Sequence, residues 1–217
     1  MPKKILFLTG TRADFGKIKS LIAAVDKNPD FDVHVFVTGM HLQKEYGYTL
    51  IEIERCQFTN VHTFENHTHE TTMDLTLAKT IEGLSAYCQQ VQPDLIVVHG
   101  DRVETLAGAI VGSLNNRLVA HIEGGELSGT VDELIRHSVS KLSHIHFVSN
   151  EEAAKRLIQM GDLESSIFVI GSPDIDILFS KDLPELKVVQ AYYDIPFEHY
   201  GIAMFHPVTT EAKDMQR

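Results

Sequence analysis

Two cysteines in 217 residues, Cys56 and Cys88, form no CxxC pair and no disulfide framework. A disulfide scaffold is thereby excluded, and the sequence reads as a protein of a reducing, cytoplasmic compartment. Tryptophan is absent. Long apolar runs are missing too. The longest, near Leu95–Val98 and residues 106–112, are far too short to span a bilayer. Met1-Pro2-Lys3-Lys4 enters the short run Ile5-Leu6-Phe7-Leu8 directly, without the longer apolar stretch and small-residue cleavage site of a signal peptide. Positive charge is also scarce, with 19 basic against 30 acidic residues and a formal charge of -11. A broad nucleic-acid footprint is excluded, and an anionic ligand would need a local cluster of Arg, His and backbone N–H groups. Low-complexity segments and internal repeats are lacking as well.

What is present is a 43% apolar chain, enough for a real core. Short β-type runs alternate with helical spacing. Strands are expected at Ile5–Leu8, Asp32–Val37, Leu95–Val98, Leu118–His121, Ile145–Val148 and residues 167–170. Helices are expected from the first loop to about Val25, from Thr72 to Gln90, and from Arg102 to about Leu114. Two more are expected over Asp132–Leu142 and Glu151–Met160. Residues 42–70 show no clear period. This βα alternation predicts an α/β protein with a Rossmann-like, doubly wound parallel sheet. Its ligands should bind in the loops beyond the carboxyl ends of the strands. Residues 1–180 are expected to form this domain. Residues 181–217 read as a crossover leading to a last strand, 202–205, that carries His206.

The unusual residues fall in those loops. Gly10-Thr11-Arg12-Ala13-Asp14 offers backbone N–H groups and an arginine to an anion, but it is neither GxGxxG nor Walker A. His99-Gly100-Asp101-Arg102-Val103-Glu104 sets a carboxylate beside an arginine. The plain alternative makes Asp101 a helix N-cap. His121-Ile122-Glu123-Gly124-Gly125-Glu126 adds two acids and a histidine around a glycine pair. Asp132 and Arg136 are four apart, so the plain alternative there is a helix-surface ion pair. Carboxylates converging from several strands suit general acid/base chemistry, because neighbouring charges separate their pKa values. The segment from His62 to Glu70 reads as a polar surface loop; His67 and His69, two apart, lack the spacing of a zinc site. No GxSxG elbow is present.

Taken together, these loops resemble the hydrolysing UDP-N-acetylglucosamine 2-epimerases of the sialic-acid and legionaminic-acid pathways. The matching stretches run in order from Thr9–Asp14 through Val98–Arg102, His121–Glu126, Ser128–Glu133, Ile135-Arg136-His137 and Ile170–Asp174 to residues 205–211. The resemblance implies the N-terminal half of a glycosyltransferase-B-like two-domain fold, inactive by itself, from a homo-oligomer, dimeric or tetrameric. It places the acid/base residues at Asp101, Glu123, Asp132 and His206. It places substrate contacts at Gly10, Arg12, Asp14, Arg102, His121, Glu126, Arg136, His137 and Ser172. Gly16 departs from relatives that carry a serine there. The implied reaction turns UDP-N-acetylglucosamine into UDP and N-acetylmannosamine, with no NAD, no metal, no nucleic acid and no membrane. Three alternatives stand beside it. They are the same chemistry on a UDP-linked 2,4-diacetamido-2,4,6-trideoxyhexose, a non-hydrolysing epimerase, and a non-catalytic nucleotide-sugar-binding domain.

Overall fold

The computed structural model describes residues 1–67, 72–181 and 183–203. The chain divides into two compact units, Met1–Phe179 and Ser180–Arg217. The first contains seven strands: β1 (Lys3–Thr9), β2 (Phe31–Val37), β3 (Asn60–Thr63), β4 (Leu95–His99), β5 (Leu118–Ile122), β6 (Ile145–Val148) and β7 (Ile167–Val169). All pair in parallel, in the order β3-β2-β1-β4-β5-β6-β7. The winding direction reverses between β1 and β4, which makes the crevice above their carboxyl ends the topological switch point.

Parallel strands need long crossovers, and helices supply them. These are α1 (Arg12–Asp26), α2 (Leu50–Glu54), α3 (Met73–Val91), α4 (Val103–Leu114), α5 (Val131–Lys141) and α6 (Glu151–Gln159), while α7 (Asp174–Leu178) follows β7. In the second unit, α8 covers Leu186–Tyr192. Both sheet faces are covered, so β1 buries successive apolar residues in opposite directions. Leu6 and Leu8 join Ile96, Val98, Leu84 and Val119 on one side. Ile5 and Phe7 join Phe15, Ile18, Ile22 and Val97 on the other. That two-sided burial explains why the central strands read as unbroken apolar runs. Cys88 is buried in the first cluster, and burial pushes its thiol up to about 11, which keeps it a protonated core group. No described helix is long and apolar enough to cross a membrane.

Three parts depart from the sequence expectation. Residues 42–70 contain α2 and the edge strand β3, so His62 and Thr63 belong to the sheet rather than to a loop. His62 stacks on Tyr87 with ring centroids 4.3 Å apart, and Asn66 is buried. The stretch read as a crossover, where no helix is expected, holds α8. Of the expected last strand, Ile202 and Ala203 are exposed and outside any strand, while residues 204–217 lie outside the described residues.

Helix–sheet closeness gives a first prediction. A Cβ at Gly112, in α4, would lie 2.3 Å from Val119 Cγ2, whereas one at Gly16, in α1, would meet nothing within 4 Å. Alanine for glycine inside a helix stabilises by about 1 kcal/mol, while overpacking a core costs about 1–3 kcal/mol. Gly16→Ala should therefore raise the urea midpoint and Gly112→Ala lower it. Equal shifts of the same sign would contradict the packing.

Candidate functional site

The loop after β1 is shaped by its own side chains. Thr11 caps α1 and accepts from the Asp14 backbone N–H at 3.3 Å. The Asp14 carboxylate accepts from Thr9 Oγ1 at 2.5 Å and from the Gly10 and Thr11 backbone N–H groups at 3.0 and 3.1 Å. Asp14 is buried, its oxygens bond to the Thr9 hydroxyl and the loop backbone, and it lines the same cavity as Asp101 and Glu123. Arg12, the first residue of α1, is exposed.

The loops after β4 and β5 are stapled together from behind. His121 is fully buried, with Nε2 2.8 Å from the Gly100 carbonyl and Nδ1 3.0 Å from Ser140 Oγ. Burial lowers its pKa to about 3, so the ring is neutral. A carbonyl only accepts, so Nε2–H donates to Gly100 and Nδ1 accepts from the Ser140 hydroxyl. No part of His121 reaches the surface, and it holds the β4 loop in place.

Glu123 follows β5 with φ +61°, a left-handed conformation that disfavours side chains. Its carboxylate meets Lys17 Nζ at 2.8 Å and His99 Nε2 at 3.2 Å, with Ser172 Oγ 3.4 Å away. Burial alone would raise this carboxyl. His99 and Lys17 outweigh it and hold the pKa at about 2. Asp101 behaves oppositely. Burial pushes its carboxyl upward, only partly offset by its ion pair with Arg136. Arg136 therefore turns to Asp101 and to the Glu126 carbonyl, at 3.1 Å, instead of pairing with Asp132. Nor is Asp101 a helix cap, because Arg102 occupies the N-cap position of α4.

Asp101 and Glu123 line one cavity of about 320 Å³, together with Lys17, His99, Arg102 and Arg136. It opens at the switch point, and two of its three carboxylates, Asp101 and Glu123, are displaced in opposite pKa directions among several cations. A second cavity, of about 450 Å³, lies against α1 and is walled by side chains such as Phe7, Val97, Ile122 and Phe147. Asp176 is its one titratable wall residue, so it offers little chemistry.

The remaining expected residues are dispersed. Asp132 is exposed at the start of α5, bonded to the Thr130 hydroxyl at 3.1 Å, and near enough to Asp101 to help raise it. Glu126 accepts from Asn150 at 2.8 Å. His137 lies in another groove, with Leu134 and Met160, away from the cavity. His206 and His69 lie outside the described residues. Among the described residues, no group of three or more His, Cys, Asp or Glu could hold a metal. The sequence reading passed over Lys17 and His99 as site residues. Lys17 contacts Glu123 across 106 positions of sequence, which no local pattern announces.

Comparison with known proteins places these features. A family profile described as UDP-N-acetylglucosamine 2-epimerase matches residues 23–217. A UDP-N-acetylglucosamine 2-epimerase of Neisseria meningitidis serogroup B is 54% identical over 210 residues, covering 97% of this chain and 56% of the relative. A hydrolysing UDP-N,N'-diacetylbacillosamine 2-epimerase of Legionella pneumophila is 36% identical over 220 residues, covering 100% of this chain and 58% of that one. The crystal structure of the Methanocaldococcus jannaschii UDP-GlcNAc 2-epimerase, in complex with UDP-GlcNAc and UDP, superposes with a TM-score of 0.77. It is 26% identical and covers 88% of this chain and 53% of its own. The chain thus spans little more than half the length of the proteins it matches.

Proposed function

The chain belongs to the UDP-N-acetylglucosamine 2-epimerase family, and from that premise we propose that it is the N-terminal catalytic half of a hydrolysing 2-epimerase. The complete protein would convert UDP-N-acetylglucosamine into UDP and N-acetylmannosamine. The observation that carries this reading is the pair Asp101 and Glu123. They share one cation-lined cavity, and their carboxyls are displaced in opposite directions. A pair so split supplies one group that stays ionised and one that holds a proton more readily.

The chemistry follows from the substrate. The C2 proton of an amino sugar is barely acidic, so its removal must be coupled to loss of a good leaving group at C1. A base takes that proton, the C1–O bond breaks with its electron pair leaving on UDP, and a 2-acetamidoglycal remains. Water then adds its oxygen at C1 while a proton reaches C2 from the face that inverts the centre. Arg102, with Arg12 and the backbone N–H groups that begin α1, is suited to the charge developing on the diphosphate. Asp101 and Glu123 serve the proton transfers. Asp132 and His206 join them by the resemblance, and Gly10, Glu126, Arg136 and Ser172 support the sugar side. The second half of a two-domain fold would close the cleft, and the assembly is a homo-oligomer.

The test is NMR of the complete protein with UDP-N-acetylglucosamine in deuterated water. The expected products are UDP and free N-acetylmannosamine carrying deuterium at C2. UDP-N-acetylmannosamine as product would convert the reading to the non-hydrolysing reaction, and binding without turnover would convert it to a nucleotide-sugar-binding domain. A second reading, a UDP-linked diacetamido-trideoxyhexose as substrate, draws support from the Legionella relative, which matches this chain throughout. A kcat/KM higher by tenfold or more on that sugar would favour it.

A further inference from the structure

Behind Arg102 lies a buried carboxylate that the proposed reaction does not use directly. Glu104, the second residue of α4, is 2% exposed. One oxygen, Oε1, accepts from Asn66 Nδ2 at 3.3 Å and lies 3.8 Å from His67 Nε2. The other, Oε2, lies 3.5 Å from Arg102 Nε, and neither of these two atoms has a hydrogen-bond partner among the described residues. Asn66, itself 1% exposed, also donates to Thr80 Oγ1 at 2.9 Å and accepts from the Gly39 N–H at 3.1 Å. A Cβ at Gly39 would sit 2.8 Å from Glu104 Oε1, and one at Gly10 would sit 3.2 Å from its Cδ. The side chain therefore fills the space beneath the loops after β1 and β2. Burial would raise this carboxyl, but His67 and Arg102 more than offset it, so the group is an anion.

A buried anion carries a desolvation penalty of several kcal/mol unless it is well paired. Mere packing of the two loops would be served by a neutral side chain of the same volume. What a carboxylate adds is a fixed partner for a guanidinium. Arg102 is 38% exposed and lines the cavity, while its Nε is buried against Glu104. Its terminal nitrogens have no hydrogen bond among the described residues. An arginine held by Nε keeps its far edge, with two parallel N–H donors, for an oxyanion.

We propose that Glu104 is a positioning residue that aims Arg102 at the diphosphate of the nucleotide sugar, with Asn66 and His67 fixing Glu104 in turn. This rests on the proposed function for the identity of the oxyanion. The test is a double-mutant cycle in the complete protein, with Glu104→Gln, Arg102→Gln and both together. UDP affinity is read by calorimetry, and KM and kcat by turnover. Each single variant should weaken UDP binding and raise KM about tenfold or more, and should also lower kcat, because the same guanidinium meets the charge developing on the leaving diphosphate. The double variant should be no worse than Arg102→Gln, because both remove one interaction. His67→Gln, at a partly exposed position, should shift the same constants in the same direction by a smaller factor. Additive losses, or unchanged UDP affinity in both Glu104→Gln and His67→Gln, overturn the proposal. A protein that binds UDP but releases no free amino sugar would fail the reaction reading and leave this cycle fully readable. If UDP does not bind at all, the diphosphate assignment falls. The Arg102 Nε–H resonance, slowly exchanging in the unliganded protein and lost in Glu104→Gln, then decides whether Glu104 holds the guanidinium.

Discussion

Replacing Glu123 with glutamine in the complete protein is expected to lower turnover by about 100-fold or more, the scale of losing a general acid/base group. The substitution preserves shape and keeps the residue in the same left-handed backbone conformation, so the strain at φ +61° is unchanged. Only the charge and the ability to carry a proton are lost. That charge is also coupled to folding. The native pKa of about 2 lies below the ordinary 4.5, so the Lys17 and His99 contacts contribute stability above about pH 4.5. The contribution fades as pH falls toward 2. Glu123→Gln should therefore be somewhat less stable than the parent at pH 7, and the gap should narrow on acidification. Lys17→Met separates the roles. With one cation gone, burial regains weight and the carboxyl pKa rises. Kinetics at saturating substrate and urea unfolding across pH read both effects. Turnover within tenfold of the parent would remove Glu123 from the reaction.

How much of this was legible beforehand depended on whether a feature was local. Ile5–Leu8, Leu95–Val98 and Leu118–His121 announced themselves because a strand buried on both faces must be apolar at consecutive positions. β3 did not, because it is the last strand in the sheet order and mixes Asn60, His62 and Thr63 with one valine. Asp101 and Glu123 were visible as candidates because strand-end loops at a switch point are where chemistry-bearing residues collect. Their partners were not. Lys17 reaches Glu123 from α1, and Asn66 reaches Glu104 from a segment without period. Such pairings exist only once the sheet is wound. His121 is the opposite case. Its place in the motif suggested a ligand contact, yet its side chain lies beneath α5, where Ser140 receives it.

Asp101→Asn in the complete protein is expected to reduce turnover by about 100-fold or more as well, for a different physical reason. Glu123 is ionised at any working pH, whereas Asp101 is displaced upward, because burial outweighs the attraction of Arg136 and Asp132 adds repulsion. A carboxyl raised above its ordinary value is the stronger base of the two when ionised, which suits the step that takes the proton from C2. The acid limb of kcat/KM should then report Asp101 rather than Glu123. Arg136 provides the handle. It is the largest influence that lowers Asp101, so Arg136→Gln should move that limb to higher pH by leaving only His99 and Arg102 to oppose burial. The sign of the stability effect follows as well. A carboxyl whose native pKa lies above 3.8 favours the fold most when protonated, and that advantage is lost as pH rises through the native value. Arg136→Gln should therefore be most destabilised, relative to the parent, above the raised pKa, where a buried anion is left without its cation. The pH profiles of both variants, measured beside urea midpoints, check the argument. An acid limb that stays in place in Arg136→Gln, or an Asp101→Asn enzyme near full activity, would assign the proton to another group, with Asp132 and His206 next to test.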